Sequence, residues 1–265
     1  MISTIADYTR ISKDMGKSLS LVAKKPDVSR ENDYFLANIG KVKSIDDFLK
    51  DYRLYSYAMK AYGLSDMTYA KALMRKVLTE GIADPKSFAN KLSDPRFREF
   101  AAAFNFAALG ANATQTAAAT TGTATQYVQQ TMEQDAGDQN QGLQLALYFT
   151  RKASSITSPF QILADKALTQ VVQTALGLSP TVSSGDIDAQ AAMISKMVKI
   201  SDFQDPAKVT KFVQRFAAMW DASQATSDIS NGTSTNPVLI LTGQAQTTGM
   251  DSDLLSKLQS IKLGR

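Results

Sequence analysis

The sequence predicts an all-α protein: a helical body with an internally duplicated three-helix unit and amphipathic helices at both ends. Three observations carry this. Apolar residues recur at steps of three and four along most of the chain. Residues that start and stop helices punctuate those stretches. One ordered series of motifs occurs twice.

Taken in order, Ile2, Ile5, Tyr8, Ile11, Met15 and Leu19 fall on one face of an N-terminal helix. A loop is expected around Lys25-Pro26-Asp27, then a helix from Asn32 to about Val42. Ser44 stands before Ile45 as an N-cap for a longer helix, with Asp46 and Asp47 in its first turn, where carboxylates favour the positive end of the dipole.

The repetition begins here. Phe48-Leu49, Tyr52, Leu54, Tyr57, Ala58, Ala61 and Gly63-Leu64-Ser65 answer to Ile162-Leu163, Lys166, Leu168, Val171, Val172, Ala175 and Gly177-Leu178-Ser179. Each describes an amphipathic helix closed by a glycine, the residue that enters the left-handed region without a Cβ clash. Leu73, Met74, Val77 and Leu78 then align with Met193, Ile194, Met197 and Val198. Asp84-Pro85 and Asp205-Pro206 both read as helix starts, with Asp as cap and Pro in the first turn. Arg96-Phe97 matches Arg215-Phe216.

Between the copies, Ala101 to Gln130 contains no charged residue. Alanine favours a close-packed helix and the threonines a break. The expectation is a helix to about Gly110, an irregular link, and a second helix from near Ala118 or Ala124 to Gln134. A buried helix follows from Gln141 to Ala153. Beyond Trp220, which is expected to pack at the end of the second repeat, Ser223 to Asn236 reads as a polar linker. Pro237 to Leu241 is a short apolar run. Asp251 to Leu263 is an amphipathic helix with Leu254, Leu255, Leu258 and Ile261 on one face. The expected organisation is 1–43 N-terminal helices, 44–110 first repeat, 111–153 connection and buried helix, 154–222 second repeat, and 223–265 linker and tail.

Composition narrows the function classes. The 265 residues include no cysteine and no histidine, so disulfides, thiol nucleophiles and Ser-His-Asp arrangements are excluded. The commonest metal ligand and the commonest neutral-pH general base are missing too. Net charge is +4, from 29 Lys and Arg against 25 Asp and Glu. The cations are interleaved with acids rather than gathered in the stripe a nucleic acid needs. No stretch reaches the apolar length of a membrane span and the N-terminus lacks a Sec-type signal pattern, so a soluble chain is expected.

Candidate chemistry is sparse. The carboxylate groups Asp46, Asp47, Asp51 and Glu133, Asp135, Asp138 read as helix-end and turn charges. Ser195-Lys196 and Thr68 with Lys71 lie within amphipathic helices and are not assigned as nucleophiles. Tyr52, Tyr55, Tyr57, Tyr62 and Tyr69 have the spacing of a packed core and its wet edge. No catalytic, cofactor-binding or metal residue is assigned. The candidates for docking a protein partner are Ile5, Tyr8 and Ile11 at one end and Leu254, Leu255, Leu258 and Ile261 at the other, with closure over the protein's own core as the competing role.

Several stretches together carry a resemblance. Val22-Ala23-Lys24-Lys25-Pro26-Asp27-Val28 leads through Tyr34-Phe35 to Ile45-Asp46-Asp47-Phe48. Later come Glu133, Gly137, Asn140, Leu145-Ala146-Leu147-Tyr148-Phe149 and Arg151-Lys152. With the Asp-Pro and Arg-Phe units these resemble the bacterial domain of unknown function 1217 family over residues 20 to 220. That family is associated with alphaproteobacterial flagellar gene clusters and has no established catalytic residues to carry over. The resemblance implies a flagellar setting with protein partners, and a cysteine-free chain of this kind is similar to substrates of flagellar type III export. Axial flagellar proteins similarly keep helical termini, although this N-terminal helix is short and lacks an extended heptad pattern. The expected function is therefore a non-enzymatic structural or assembly protein, flagellum-associated or exported. The alternatives are a cytoplasmic chaperone or adaptor that holds a partner helix between the repeats, and an enzyme built from Asp, Glu, Lys, Arg or Tyr alone.

Overall fold

The structure is a computed structural model and describes residues 3–178 and 186–230. The described residues form helices and turns, with no strand among them. Residues 1–221 make up one compact unit. Of the second unit, 222–265, only the stretch to Ser230 is described.

The chain opens with α1 (Thr4–Lys13), α2 (Met15–Ala23) and α3 (Pro26–Asn38). The single N-terminal helix expected from apolar spacing is broken at Asp14, which leaves the helical region at φ −145° and ψ 77°. Its carboxylate accepts the Lys17 N–H at 2.9 Å and so starts α2 afresh. Helix α3 begins at Pro26 rather than Asn32, because proline at the first helical position lacks only an N–H that would be unpaired there anyway.

Ser44 caps α4 (Ile45–Lys50) as expected, accepting the Asp47 N–H at 3.0 Å. The helix is short, however. Asp51 interrupts it and caps α5 (Tyr52–Ala61) by accepting the Arg53 and Leu54 N–H groups, both at 3.1 Å. Helix α5 closes in a Schellman turn. Gly63 has φ +70°, and the Leu64 N–H reaches back to the Met59 carbonyl at 2.8 Å.

Next come α6 (Lys71–Glu80), α7 (Phe88–Lys91), α8 (Pro95–Ala103) and α9 (Phe106–Leu109). Helix α6 stops at Gly81, where φ is +64° and an added Cβ would sit 2.6 Å from that of Ala107. Asp84-Pro85 opens a turn and not a helix; Asp84 accepts the Lys86 N–H, and α7 starts only at Phe88. The working Asp-Pro start is Asp94-Pro95, with Asp94 capping α8 through the Arg96 N–H at 2.9 Å.

The uncharged Ala/Thr stretch resolves into a 3-10 turn Gly110–Gln115, a π turn Ala118–Gly122 and then α10 (Thr123–Gly137). Threonine hydroxyls bond back to carbonyls of the preceding turn, as in Thr120 to Thr116 and Thr123 to Ala118, which accounts for the departure from regular α geometry. Helix α11 (Gln141–Lys152) follows, capped by Asn140 through the Leu143 N–H.

In the second half, α12 (Pro159–Leu163) and α13 (Lys166–Leu176) repeat the caps of α4 and α5. Ser158 opens α12, its N–H donating to Gln161 Oε1 at 3.3 Å. Asp165 accepts the Ala167 and Leu168 N–H groups at 2.8 and 3.1 Å. Gly177, at φ +67°, closes α13 with the Leu178 N–H on the Gln173 carbonyl. The correspondence does not extend to the third helix. In the first stretch Arg96-Phe97 directly follows the Asp-Pro start of α8. In the second, α14 (Ile187–Met197) leads to α15 (Pro206–Ser230), where Arg215-Phe216 lies more than two turns in. A duplicated three-helix unit is therefore not established.

Helix α15 also runs through residues 223–230, which composition marks as linker. No glycine or proline interrupts the chain there before Gly232. The apolar run Pro237 to Leu241 and the C-terminal amphipathic stretch lie outside the described residues.

Helix α10 is the central post, packed against α2, α3, α5 and α11, while α1 and α13 lie on α11. One apolar core joins these layers. In the first half Phe48 is the hub, with its ring 4.8 Å from Phe104 and 6.1–6.2 Å from Tyr55, Phe100 and Phe106. In the second, Phe149, Phe203 and Phe212 form a smaller aromatic triangle. Trp220 stacks near Phe216 and lies over Gly142, where a Cβ would come within 2.4 Å of the indole.

Candidate partner-binding trough

The sequence-predicted docking residues separate into two sets. Tyr8 is fully buried, and its hydroxyl pairs with Thr150 Oγ1 at 2.9 Å. Ile5 and Ile11 are half-buried against the same body. The apolar face of α1 thus packs on α11 through Tyr8, while Ile5 and Ile11 stay partly exposed. Asp221 completes the closure: its carboxylate accepts the Thr4 and Ile5 N–H groups at 3.0 and 3.2 Å and the Ser3 hydroxyl at 3.0 Å, capping α1 from α15. Leu254, Leu255, Leu258 and Ile261 lie outside the described residues.

Of the acidic groups, Asp46 pairs with Arg75, Asp47 with the Ser44 hydroxyl, and Asp135 with Lys25 at 2.6 Å. Ser195 and Thr68 donate to carbonyls of their own turns. Among the tyrosines, Tyr57 is sandwiched between Phe35 and Tyr127 at 4.2 and 4.0 Å, whereas Tyr52 and Tyr69 are exposed.

What the sequence did not assign as a site is a trough between the start of α8 on one side and the α12–α13 junction on the other, floored by α10 and α11. It comprises a depression of about 560 Å³ and an adjoining one of about 250 Å³. The two share Ser93, Pro95, Lys152, Ala164 and Asp165, so they form one continuous surface.

Its floor is ionic. Arg151 meets Glu133 with two nitrogens of its guanidinium, Nε to Oε1 at 2.5 Å and Nη2 to Oε2 at 2.9 Å. Both are largely buried, 15% and 3% exposed, and Gln130 Oε1 takes a further bond from the guanidinium. Burial works against the charge on Arg151, but the hydrogen bonds and charge of Glu133 outweigh it and hold its pKa above the ordinary value. The next residue, Lys152, is clamped by both oxygens of Glu99 at 2.5 and 2.7 Å.

The walls are tied in the same way. Arg96 pairs with its own capping residue, Asp94, at 2.7–3.0 Å and donates to the Gly63 carbonyl, fastening α8 to the end of α5. Burial pushes the Asp94 carboxyl up, yet its bonds to Arg96 bring the net below the usual carboxylate range. Tyr148 donates to Asp165 Oδ2 at 2.5 Å; burial first, and then that bond and the Asp165 charge, push the phenol well above its usual range. Among the described residues no group of acidic side chains has the geometry to hold a metal ion.

The trough is lined by Glu133, Leu145, Tyr148, Arg151 and Lys152, and by Asp94-Pro95-Arg96. A model of the family described as Protein of unknown function (DUF1217) matches residues 61–209, which contain all of them. This chain belongs to the DUF1217 family. A crystal structure of a protein from Agrobacterium tumefaciens, solved as a structural genomics target, is 53% identical, covers 83% of this chain and 96% of its own, and superposes with a TM-score of 0.77. No curated protein matches the chain. No helix among the described residues of this DUF1217 protein is long and apolar enough to cross a membrane.

Proposed function

We propose that this DUF1217 protein is a non-enzymatic, flagellum-associated structural or assembly protein that works through helical surfaces. The observation that carries the binding role is the trough. Its buried charges are already neutralised by one another, so the surface is held in shape without a ligand. The reactive candidates along it are held in the same pairs: the phenol of Tyr148 is kept protonated, and Lys152 is held by Glu99. Large apolar side chains add interaction surface beside it, with Phe160 on α12 and Ile187, Met193 and Met197 on the neighbouring α14 all exposed. The flagellar setting rests on the resemblance, and export by the type III route is part of that proposal. Deletion of the gene, followed by a swimming assay and fractionation of cytoplasm, basal body and medium, tests it. Loss of swimming with the protein in the basal body or medium is expected; normal swimming and normal filaments overturn it.

A second reading, a cytoplasmic chaperone or adaptor of flagellar assembly, is favoured by the state of α1. Axial packing needs free terminal faces, and here Tyr8 is buried in the chain's own body. Pull-down from export-defective cells separates the two: an adaptor remains with a client, whereas an export substrate accumulates without one.

A further inference from the structure

We infer that the trough takes an acidic segment of a partner protein, with Arg98 and Lys166 as the cations that receive it. This rests on the reading of the chain as a protein-binding module and is independent of the flagellar setting.

Each carboxylate that lines the trough already has partners. Asp94 is held by Arg96, Glu133 by Arg151 and Glu99 by Lys152. Asp165 accepts the Tyr148 hydroxyl and two N–H groups at the start of α13. The cations of the floor are consumed in the same pairs. Arg98, on the α8 side, and Lys166, on the α13 side, are exposed and have no ion pair or hydrogen bond among the described residues. Asp165 is bonded only to neutral donors, so five cations stand against four carboxylates and the net charge of the trough is positive.

Helices α8 and α13 both begin at the trough, where the Asp94 and Asp165 carboxylates take up their first N–H groups. Between the polar groups lie the accessible apolar surfaces of Leu92, Pro95, Ala164 and Ala167. A bare carboxylate compound would leave these uncovered. A peptide that alternates acidic and apolar side chains covers both, and the two joined depressions of about 560 and 250 Å³ give it room.

The test is selection of a phage-displayed library of random peptides on the intact protein, followed by fluorescence anisotropy with labelled copies of the selected sequences. Acidic sequences with interspersed apolar residues are expected. The double variant Arg98→Glu with Lys166→Glu keeps its circular dichroism and melting, since both side chains are exposed, and loses about tenfold in affinity, as charge reversal at a docking rim should. Raising salt from about 0.05 to 0.5 M weakens binding to the native protein. Peptides with Asp and Glu changed to Lys recover binding to the double variant. No enrichment, selected peptides without acidic bias, equal affinity for the double variant, or displacement by free glutamate each overturns the inference. Should gene deletion abolish swimming while no acidic peptide binds, the trough assignment falls and the flagellar reading stands. Acidic peptide binding in a strain that swims normally after deletion gives the reverse.

Discussion

Helices α4–α5 and α12–α13 have the same punctuation and different surroundings. Both pairs start at a serine, turn at a capping aspartate, and the second helix of each ends in a glycine Schellman turn. Yet Phe48 on α4 sits in an aromatic hub, whereas Ile162, at the matching place on α12, is as fully buried but brings no ring to such a hub. The two capping aspartates also diverge: Asp165 holds Tyr148 in the trough, while Asp51 only caps its helix. The lesson is that caps transfer with a short stretch of sequence, and packing and site chemistry do not.

Five comparisons would break or sharpen that contrast. The largest is expected at the cores and the ionic floor. Phe48→Ala should cost about 3–5 kcal/mol in urea unfolding and Ile162→Ala about 2–5, because both leave cavities in fully buried sites. Equal losses would say that the hub adds nothing beyond volume. Breaking the buried Arg151–Glu133 pair by Glu133→Ala should cost about 3–5 kcal/mol, since it strands a largely buried guanidinium. The exposed Arg75–Asp46 pair sets the other limit, with Arg75→Ala expected within about 1 kcal/mol of the native protein.

Cap losses come next. Asp51→Ala should cost about 0.5–2 kcal/mol. Asp165→Ala should exceed it, because the Tyr148 hydroxyl loses its acceptor as well. Thermal melting of the two variants side by side decides this, and equal shifts would show that Asp165 is no more than a cap.

The smallest effects are pH-dependent. The folded-state pKa of Asp94 is depressed, so its contribution is present above the unfolded carboxylate value and is lost as pH falls through the lower folded value. Stability measured down through pH 4 should fall less steeply in Asp94→Asn than in the native protein. Tyr55 behaves with the opposite sign, because burial pushes its phenol up to about 12. Its contribution is complete below the unfolded value near 10 and is lost as pH rises from there towards about 12. The Tyr55 hydroxyl is buried with no partner among the described residues, so Tyr55→Phe should be neutral or stabilising at pH 7 and flatten the alkaline decline. A destabilised Tyr55→Phe at neutral pH would mean that the hydroxyl makes a bond in solution.

Much of the fold was legible because helix formation is written locally. Ser44, Gly63, Gly177 and the Asp205-Pro206 start act where their spacing places them. Three of the errors share one cause, which is that residue type does not rank competing caps. Asp14 and Asp51 end helices that apolar spacing alone would continue, and Asp84-Pro85 loses the helix start to Asp94-Pro95. The trough was less legible. Glu133, Arg151 and Lys152 were visible as residues, but Glu99 and Asp165 reach Lys152 and Tyr148 from other helices, and no period in the chain announces such pairings.

The sequence by itself determined an all-helical body, the sites of several helix ends, and the absence of thiol and imidazole chemistry, because those depend on neighbours along the chain or on composition. Only the tertiary structure decided that α1 packs on α11 with Asp221 capping it, and that three ion pairs and the Tyr148–Asp165 bond build one trough and leave Arg98 and Lys166 unpaired among the described residues. Such matters turn on which helices lie side by side, and packing of the whole core sets that at once.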